Sequence, residues 1–259
     1  MTEDKRNKIN KIIKSKKAQN SWGNVANWYD NNLDNPNTYQ SQVILPNLTR
    51  LLDLKKSDTL LDLACGQGFF CDKYENLCTV TGVDISPELI DIAKAHTKKT
   101  QYYVCRAERI ETLPLNVFTK VITVLALQNI QDLAKTVFNV SNLMSKGSKW
   151  YVVLNHPSFR QLRKSSWVMD KELNTQTRVL TGYMSSYTQE IIMNPGSKNS
   201  EMTLTYHRPL QEYIKIAKNN NMVLTNLEEW ISHKNQDTEA LDTAKKEFPM
   251  FMYLEFEKK

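Results

Sequence analysis

From residue 59 onward, short and nearly continuous β-branched runs alternate with stretches in which apolar residues recur every three or four positions. Continuous apolar runs suit strands buried on both faces, so the alternation predicts βαβ units and a mostly parallel sheet. Strands are predicted over 59–63, 79–84, 101–106, 120–127 and 149–155. The clearest helix is 86–99, where Ser86 caps, Pro87 takes the first helical position and Leu89, Ile90 and Ala93 form the buried stripe. A second helix is predicted over 131–146, stopped by Gly147.

After the fifth strand the rhythm breaks over 158–206, a stretch too long for an ordinary connection. Residues 178–193 and 201–206 read as strands across an Asn194-Pro195-Gly196 turn, after a short segment around Trp167. A helix resumes at Pro209, and strands over 222–230 and 248–257 complete a set of seven. No helical pattern strong enough for a crossover separates the last two, so the final strand is expected to run antiparallel. The sheet region is assigned to 21–157 and 207–259, with 158–206 as a cap insertion.

Composition narrows the class. With 41% hydrophobic and 24% charged residues in 259, the chain can bury a sizeable core. No apolar run approaches the roughly 20 residues that span a bilayer. The net charge of +6 is concentrated in residues 1–20, where seven basic side chains face Glu3 and Asp4. A flexible, solvated tail accounts for this, and a nucleic-acid partner is not expected. Four cysteines without a C-x-x-C pair read as free thiols. With a charged rather than apolar start, they point to the cytoplasm, and no metal site is expected.

The most informative chemistry lies in Leu60-Leu-Asp62-Leu-Ala64-Cys-Gly66-Gln-Gly68, a buried strand that ends in a small-residue loop and opens a helix. Gly66 and Gly68 let backbone approach a ligand closely. Asp62 stands at the loop entrance, and Asp84 ends the second strand 22 residues later, a spacing that suits a carboxylate accepting two ribose hydroxyls. A dinucleotide would bring its anionic pyrophosphate against Asp62. S-adenosylmethionine brings an ammonium and a sulfonium and no phosphate, so it fits the charge better.

These motifs resemble the class I S-adenosylmethionine-dependent methyltransferases, particularly the small-molecule branch similar to ubiquinone/menaquinone-type C-methyltransferases. The likeness covers about 20–157 and 207–257. It implies a Rossmann-like α/β fold, with a seven-stranded sheet that is mostly parallel but has an antiparallel last strand, plus a small β-rich cap. Ala64 stands where that family has glycine. The resemblance places Ile85 on the adenine and Leu125 and Asn129 at the end of the fourth strand, bordering the methyl group. Arg106-Ala107-Glu108 departs from the family's Asp-Ala-Glu, so the backbone at Ala107 or the Glu108 side chain is left to meet the adenine. The aromatic N-terminal segment from Trp22 to Asp30 resembles the helix that closes over the cofactor in that branch, which implies that Tyr29 shields the sulfonium or reaches the methionine carboxylate.

The resemblance implies direct displacement onto a small-molecule acceptor. Two rivals stay open: an RNA methyltransferase using the basic tail, and a catalytically silent cofactor-binding subunit. His156, after the fifth strand, is the first candidate for a general base and His207 the second, each with a structural alternative as a loop cap or tether. The acceptor pocket is expected near Asn129, His156 and Trp167.

Overall fold

The computed structural model describes residues 22–23, 36–161, 163–172, 175–193, 202–231 and 239–259. The expected basic tail, Tyr29 and the Asn194-Pro195-Gly196 turn lie outside them. In chain order the first half runs α1 (Leu45–Leu52), β1 (Thr59–Leu63), α2 (Phe69–Tyr74), β2 (Thr79–Asp84), α3 (Pro87–His96), β3 (Gln101–Val104) and β4 (Phe118–Val124). Next come α4 (Leu133–Asn142), β5 (Met144–Asn155), β6 (Ser165–Asp170), β7 (Thr175–Leu180), β8 (Tyr187–Ile192) and β9 (Met202–His207). The chain closes with α5 (Leu210–Lys218), β10 (Met222–Trp230), α6 (Glu239–Glu247) and β11 (Phe251–Lys258).

Alternation along the central strands sets the layers. Leu61 and Leu63 of β1 join Val121, Val152 and Leu154 in one core, which α4 and α5 cover through Val137, Val140 and Tyr213. Leu60 points the other way, into a second core with Ile122, Tyr151 and Val153 closed by α1, α2 and α3. The seven strands are ordered β10-β11-β5-β4-β1-β2-β3, with β11 antiparallel to both neighbours. The remaining pairs are parallel. This is the Rossmann-like sheet with one antiparallel strand. Its order reverses between β1 and β4, opening a crevice at their C-terminal ends.

Several elements depart from expectation. Gly147 does not stop α4; with φ 82° it lies inside β5, where pairing with β4 skips from Phe118 to Lys120. It therefore marks a bulge. Strand β3 ends at Val104 because Arg106 begins a 3-10 segment over Ala107–Thr112. Strand β4 ends at Val124 because Leu125 turns to φ 53°. The stretch 178–193 is two strands, broken where Gly182 takes φ 64°, so the insertion forms two hairpins, β6–β7 and β8–β9. A helix, α6, does separate β10 from β11; its polar composition hides the period.

Candidate active site

The loop after β1 is fixed by hydrogen bonds of its amides to β2. The amides of Ala64 and Cys65 both donate to Val83 O of β2, at 2.7 and 3.1 Å. Asp84 Oδ2 accepts from the Gly66 amide and Oδ1 from the Ser86 amide, each at 2.9 Å. One carboxylate therefore braces the glycine loop and the start of α3 together. Ser86 Oγ in turn accepts from the Leu89 amide at 3.2 Å, capping α3.

The two glycines serve different ends. A Cβ at Gly68, where φ is 81°, would stand 2.6 Å from Tyr102 Oη and 2.9 Å from Ala93 Cβ, so this glycine permits close packing. A Cβ at Gly66, with φ 56°, would meet nothing within 4 Å. It would project into open space. That space is a cavity at the C-terminal ends of β1, β2 and β4, walled by Asp62, Ala64, Gly66, Asp84 and Ile85. Ala107, Glu108, Leu125 and Asn129 line it as well.

Burial dominates its electrostatics. Asp62 is 2% exposed, and its Oδ2 accepts from the Cys71 thiol at 3.4 Å. Burial, with a smaller contribution from neighbouring Asp84, pushes its carboxyl up to about 7. Burial also raises Asp84, against the amides of Ser86, Gly66 and Ile85 that favour its ionised form. Ala64 holds φ 63°, a conformation suited to glycine.

The sequence model of the methyltransferase domain family matches residues 61–152, the stretch that holds the loop, both carboxylates and β4. Over these residues the chain is similar to a methyltransferase domain. Ubiquinone biosynthesis O-methyltransferase of Coxiella burnetii is 28% identical over 135 residues, covering 49% of this chain and 58% of the relative. The chain thus matches little more than half the length of that curated relative. Among solved structures, an S-adenosylmethionine-dependent methyltransferase from Mesorhizobium loti superposes with TM-score 0.66 at 21% identity, over 87% of this chain and 100% of the other. A glycopeptide N-methyltransferase complexed with S-adenosyl-L-methionine gives 0.56 at 12%, over 83% and 92%. These two likenesses show the fold.

The fold does not bring every predicted residue to this cavity. His156 is buried beyond it: Nδ1 accepts from the amides of Ser158 and Phe159, at 3.2 and 3.3 Å, and Nε2 meets Glu229 Oε1 at 2.6 Å. Both ring nitrogens are committed to holding the turn after β5. Burial lowers its pKa, opposed by Glu229. His207 Nε2 meets Tyr183 O at 2.7 Å and its ring stacks on Tyr187, tying the insertion together. Trp167 packs edge-on against Phe248 and carries Arg178 over its face. None of these three lines the cavity.

Other residues take that wall. Thr203, Leu204 and Tyr206 of β9 line it, as do Trp22 and Arg106, whose guanidinium pairs with Glu108 at 3.3 Å. β9 is held there by Thr205 Oγ1 donating to Gln128 O at 3.2 Å. The signal for this was the point where the insertion rejoins the fold, directly before Pro209. Arg208 completes the link, donating to the carbonyls of Leu127, Ile130 and Gln131 at 3.2, 2.8 and 2.9 Å.

Proposed function

We propose that the chain is an S-adenosylmethionine-dependent methyltransferase acting on a small-molecule acceptor. One observation carries this reading: two buried carboxylates, Asp62 and Asp84, flank a glycine loop in a single cavity at the point where the strand order reverses. The residues present fit the cofactor. Neither carboxylate forms an ion pair among the described residues, so the site suits a ligand with cationic groups and sugar hydroxyls. The open space at Gly66 is a cradle that any side chain would fill.

S-adenosylmethionine, when bound, supplies an electrophilic methyl on sulfur. Asp84 is assigned the ribose hydroxyls, and Asp62 the cationic end. Ile85, Ala107 and Glu108 flank the nucleobase side, and Leu125 stands at the turn after β4. The acceptor is assigned to the remaining wall, between Asn129 and Tyr206. Holding two reactants in line is worth about 7 to 11 kcal/mol when alignment is good, so orientation is the chain's main contribution. No histidine of the pair proposed from sequence reaches the cavity, and neither is assigned as base here. On this reading 21–157 and 207–259 form the cofactor-binding core and 158–206 the cap that supplies the β9 wall. A cytoplasmic location accords with four free cysteines.

The test is calorimetry with S-adenosylhomocysteine, followed by transfer assays on phenolic, amine and carbon acceptors. Binding that is lost in Asp84→Ala supports the reading. A folded wild-type protein that does not bind S-adenosylhomocysteine ends it.

A further inference from the structure

On β9 the side chains of Thr203, Thr205 and His207 share a face, since strand side chains alternate. Two of the three tie the insertion in place. Thr205 Oγ1 donates to Gln128 O at 3.2 Å, and His207 Nε2 meets Tyr183 O at 2.7 Å. Thr203 is left over. It is 6% exposed and lines the cavity, and its hydroxyl makes no hydrogen bond with any described residue. Asn129 Oδ1 is sealed from solvent without a donor, whereas the Thr203 oxygen is not sealed. Tyr206 Oη, two turns of the pleat away in the same wall, also makes no hydrogen bond with a described residue.

A buried hydroxyl without a partner costs free energy unless a ligand completes it. Valine would fill nearly the same volume without that cost. The charges around the cavity narrow what can complete it. Arg208 spends its guanidinium on the carbonyls of Leu127, Ile130 and Gln131. Arg106 pairs with Glu108 at 3.3 Å. With Asp62 and Asp84 assigned to the cofactor, no unpaired charge remains among the described cavity residues to meet a carboxylate or an ammonium. An ionised group held there would lose its water without compensation. Leu204, Ile130 and Leu125 line the same cavity and suit an apolar body.

We infer that Thr203 binds an uncharged hydroxyl of an otherwise apolar acceptor and selects for it. A threonine hydroxyl both donates and accepts, so it matches a hydroxyl in either sense. Its place suits the acceptor rather than the cofactor. Asp84 holds the glycine loop at the β2 end of the cavity, whereas β9 is bonded to the turn after β4. A site built to bond a hydroxyl rejects the analogue that lacks one, because its own polar group is then left unpaired. Assigning the hydroxyl to an acceptor rests on the methyl-transfer reading; the unfilled Thr203 hydroxyl does not.

The experiment measures dissociation constants by ligand-observed NMR titration of the full chain, with and without S-adenosylhomocysteine. The probes are phenol, toluene, benzoate and benzylamine, which put a neutral hydroxyl, no polar group, an anion and a cation on one kind of ring. Phenol is expected to bind wild type, and the other three to bind about fivefold more weakly or worse. Thr203→Val should bring phenol down to the level of toluene, while Thr203→Ser, which keeps the hydroxyl, should hold phenol within about twofold of wild type. Thermal unfolding without ligand gives a second reading. Thr203→Val should unfold no lower than wild type, because the hydroxyl it removes has no partner in the fold. Failure of phenol to bind better than toluene in wild type, a phenol preference that survives in Thr203→Val, or a clear fall in Tm overturns the assignment. A preference for benzoate or benzylamine overturns the uncharged class. Failure of S-adenosylhomocysteine to bind wild type would instead remove the methyl-transfer reading, and the titrations of the free protein would still decide whether Thr203 holds a hydroxyl.

Discussion

Cys71 Sγ donates to Asp62 Oδ2 at 3.4 Å, so the carboxyl at the entrance of the glycine loop is met by a weak donor where a cation would satisfy it. With its pKa near 7, Asp62 is largely protonated in the free protein below that pH. A ligand ammonium must displace the proton, so S-adenosylhomocysteine affinity is expected to rise with pH through about 7. Calorimetry in buffers of different ionisation enthalpy reads the released proton directly. Asp62→Asn should release none and flatten the profile. An unchanged profile in that variant would remove Asp62 from the cationic end.

The same group predicts the pH dependence of stability. Its folded pKa lies above its unfolded value of 3.8, so the folded state binds the extra proton. The resulting stabilisation is fully present below the unfolded value and lost as pH rises through about 7. Thermal unfolding without ligand between about pH 4 and about pH 8 should show that decline, and Asp62→Asn should reduce it.

Asp84 offers a sharper test because its two oxygens hold the Gly66 and Ser86 amides. Asp84→Ala is expected to weaken S-adenosylhomocysteine binding more than tenfold, since charge-assisted contacts are lost and the loop loses its brace. NAD should not compete in wild type. Unchanged affinity in a folded variant would place the nucleoside elsewhere.

Ala64 and Gly68 make opposite predictions from one cause. Ala64 occupies φ 63°, where an L side chain costs about 1 to 2 kcal/mol, and glycine recovers most of this at some unfolded-state entropy. Ala64→Gly should therefore raise Tm by a few degrees in a scan. Gly68→Ala should lower it, because the added Cβ meets Tyr102 Oη at 2.6 Å in a backbone already at φ 81°.

How much of this was legible in the sequence depended on how each segment is buried. β1, β2 and β10 have the bounds read from pattern, since each is bordered by turn residues. The insertion was read less well. Its strands β6, β7 and β8 alternate between exposed and half-buried positions, so a single run from 178 to 193 looked continuous, and only the positive φ of Gly182 reveals the break. The glycine loop and Asp84 were visible because their chemistry is local to two strand ends. His156 was not, because chain position puts it at the correct sheet edge without saying which way the ring turns. Glu229, 73 residues away, decides that.

His156 is accordingly predicted to act on stability. His156→Ala leaves the Ser158 and Phe159 amides and the Glu229 carboxylate without their partner, at about 1 to 3 kcal/mol. Tm should fall. The pH profile of the remaining transferase rate should keep its shape, whereas a general base would take one limb of that profile with it.

The last prediction concerns Arg208, which is 6% exposed and holds the turn after β4 by three carbonyls. That turn carries Asn129, and Tyr206 stands two residues before Arg208 on the opposite wall, so one buried guanidinium sets the spacing between both sides of the proposed acceptor pocket. Its ring contact with Tyr206, at 5.2 Å, ties the second wall directly. Arg208→Lys keeps the charge but supplies a point donor in place of a fork, so it cannot reach all three carbonyls. The expected outcome is an acceptor KM raised about tenfold or more with S-adenosylhomocysteine affinity nearly unchanged, because Asp84, Gly66 and Ile85 are braced independently of β9. A parallel loss of both affinities would mean that the β9 wall shapes the cofactor site as much as the acceptor site. Steady-state kinetics with the acceptor found in the transfer assays, set beside calorimetry on the same variant, separates the two.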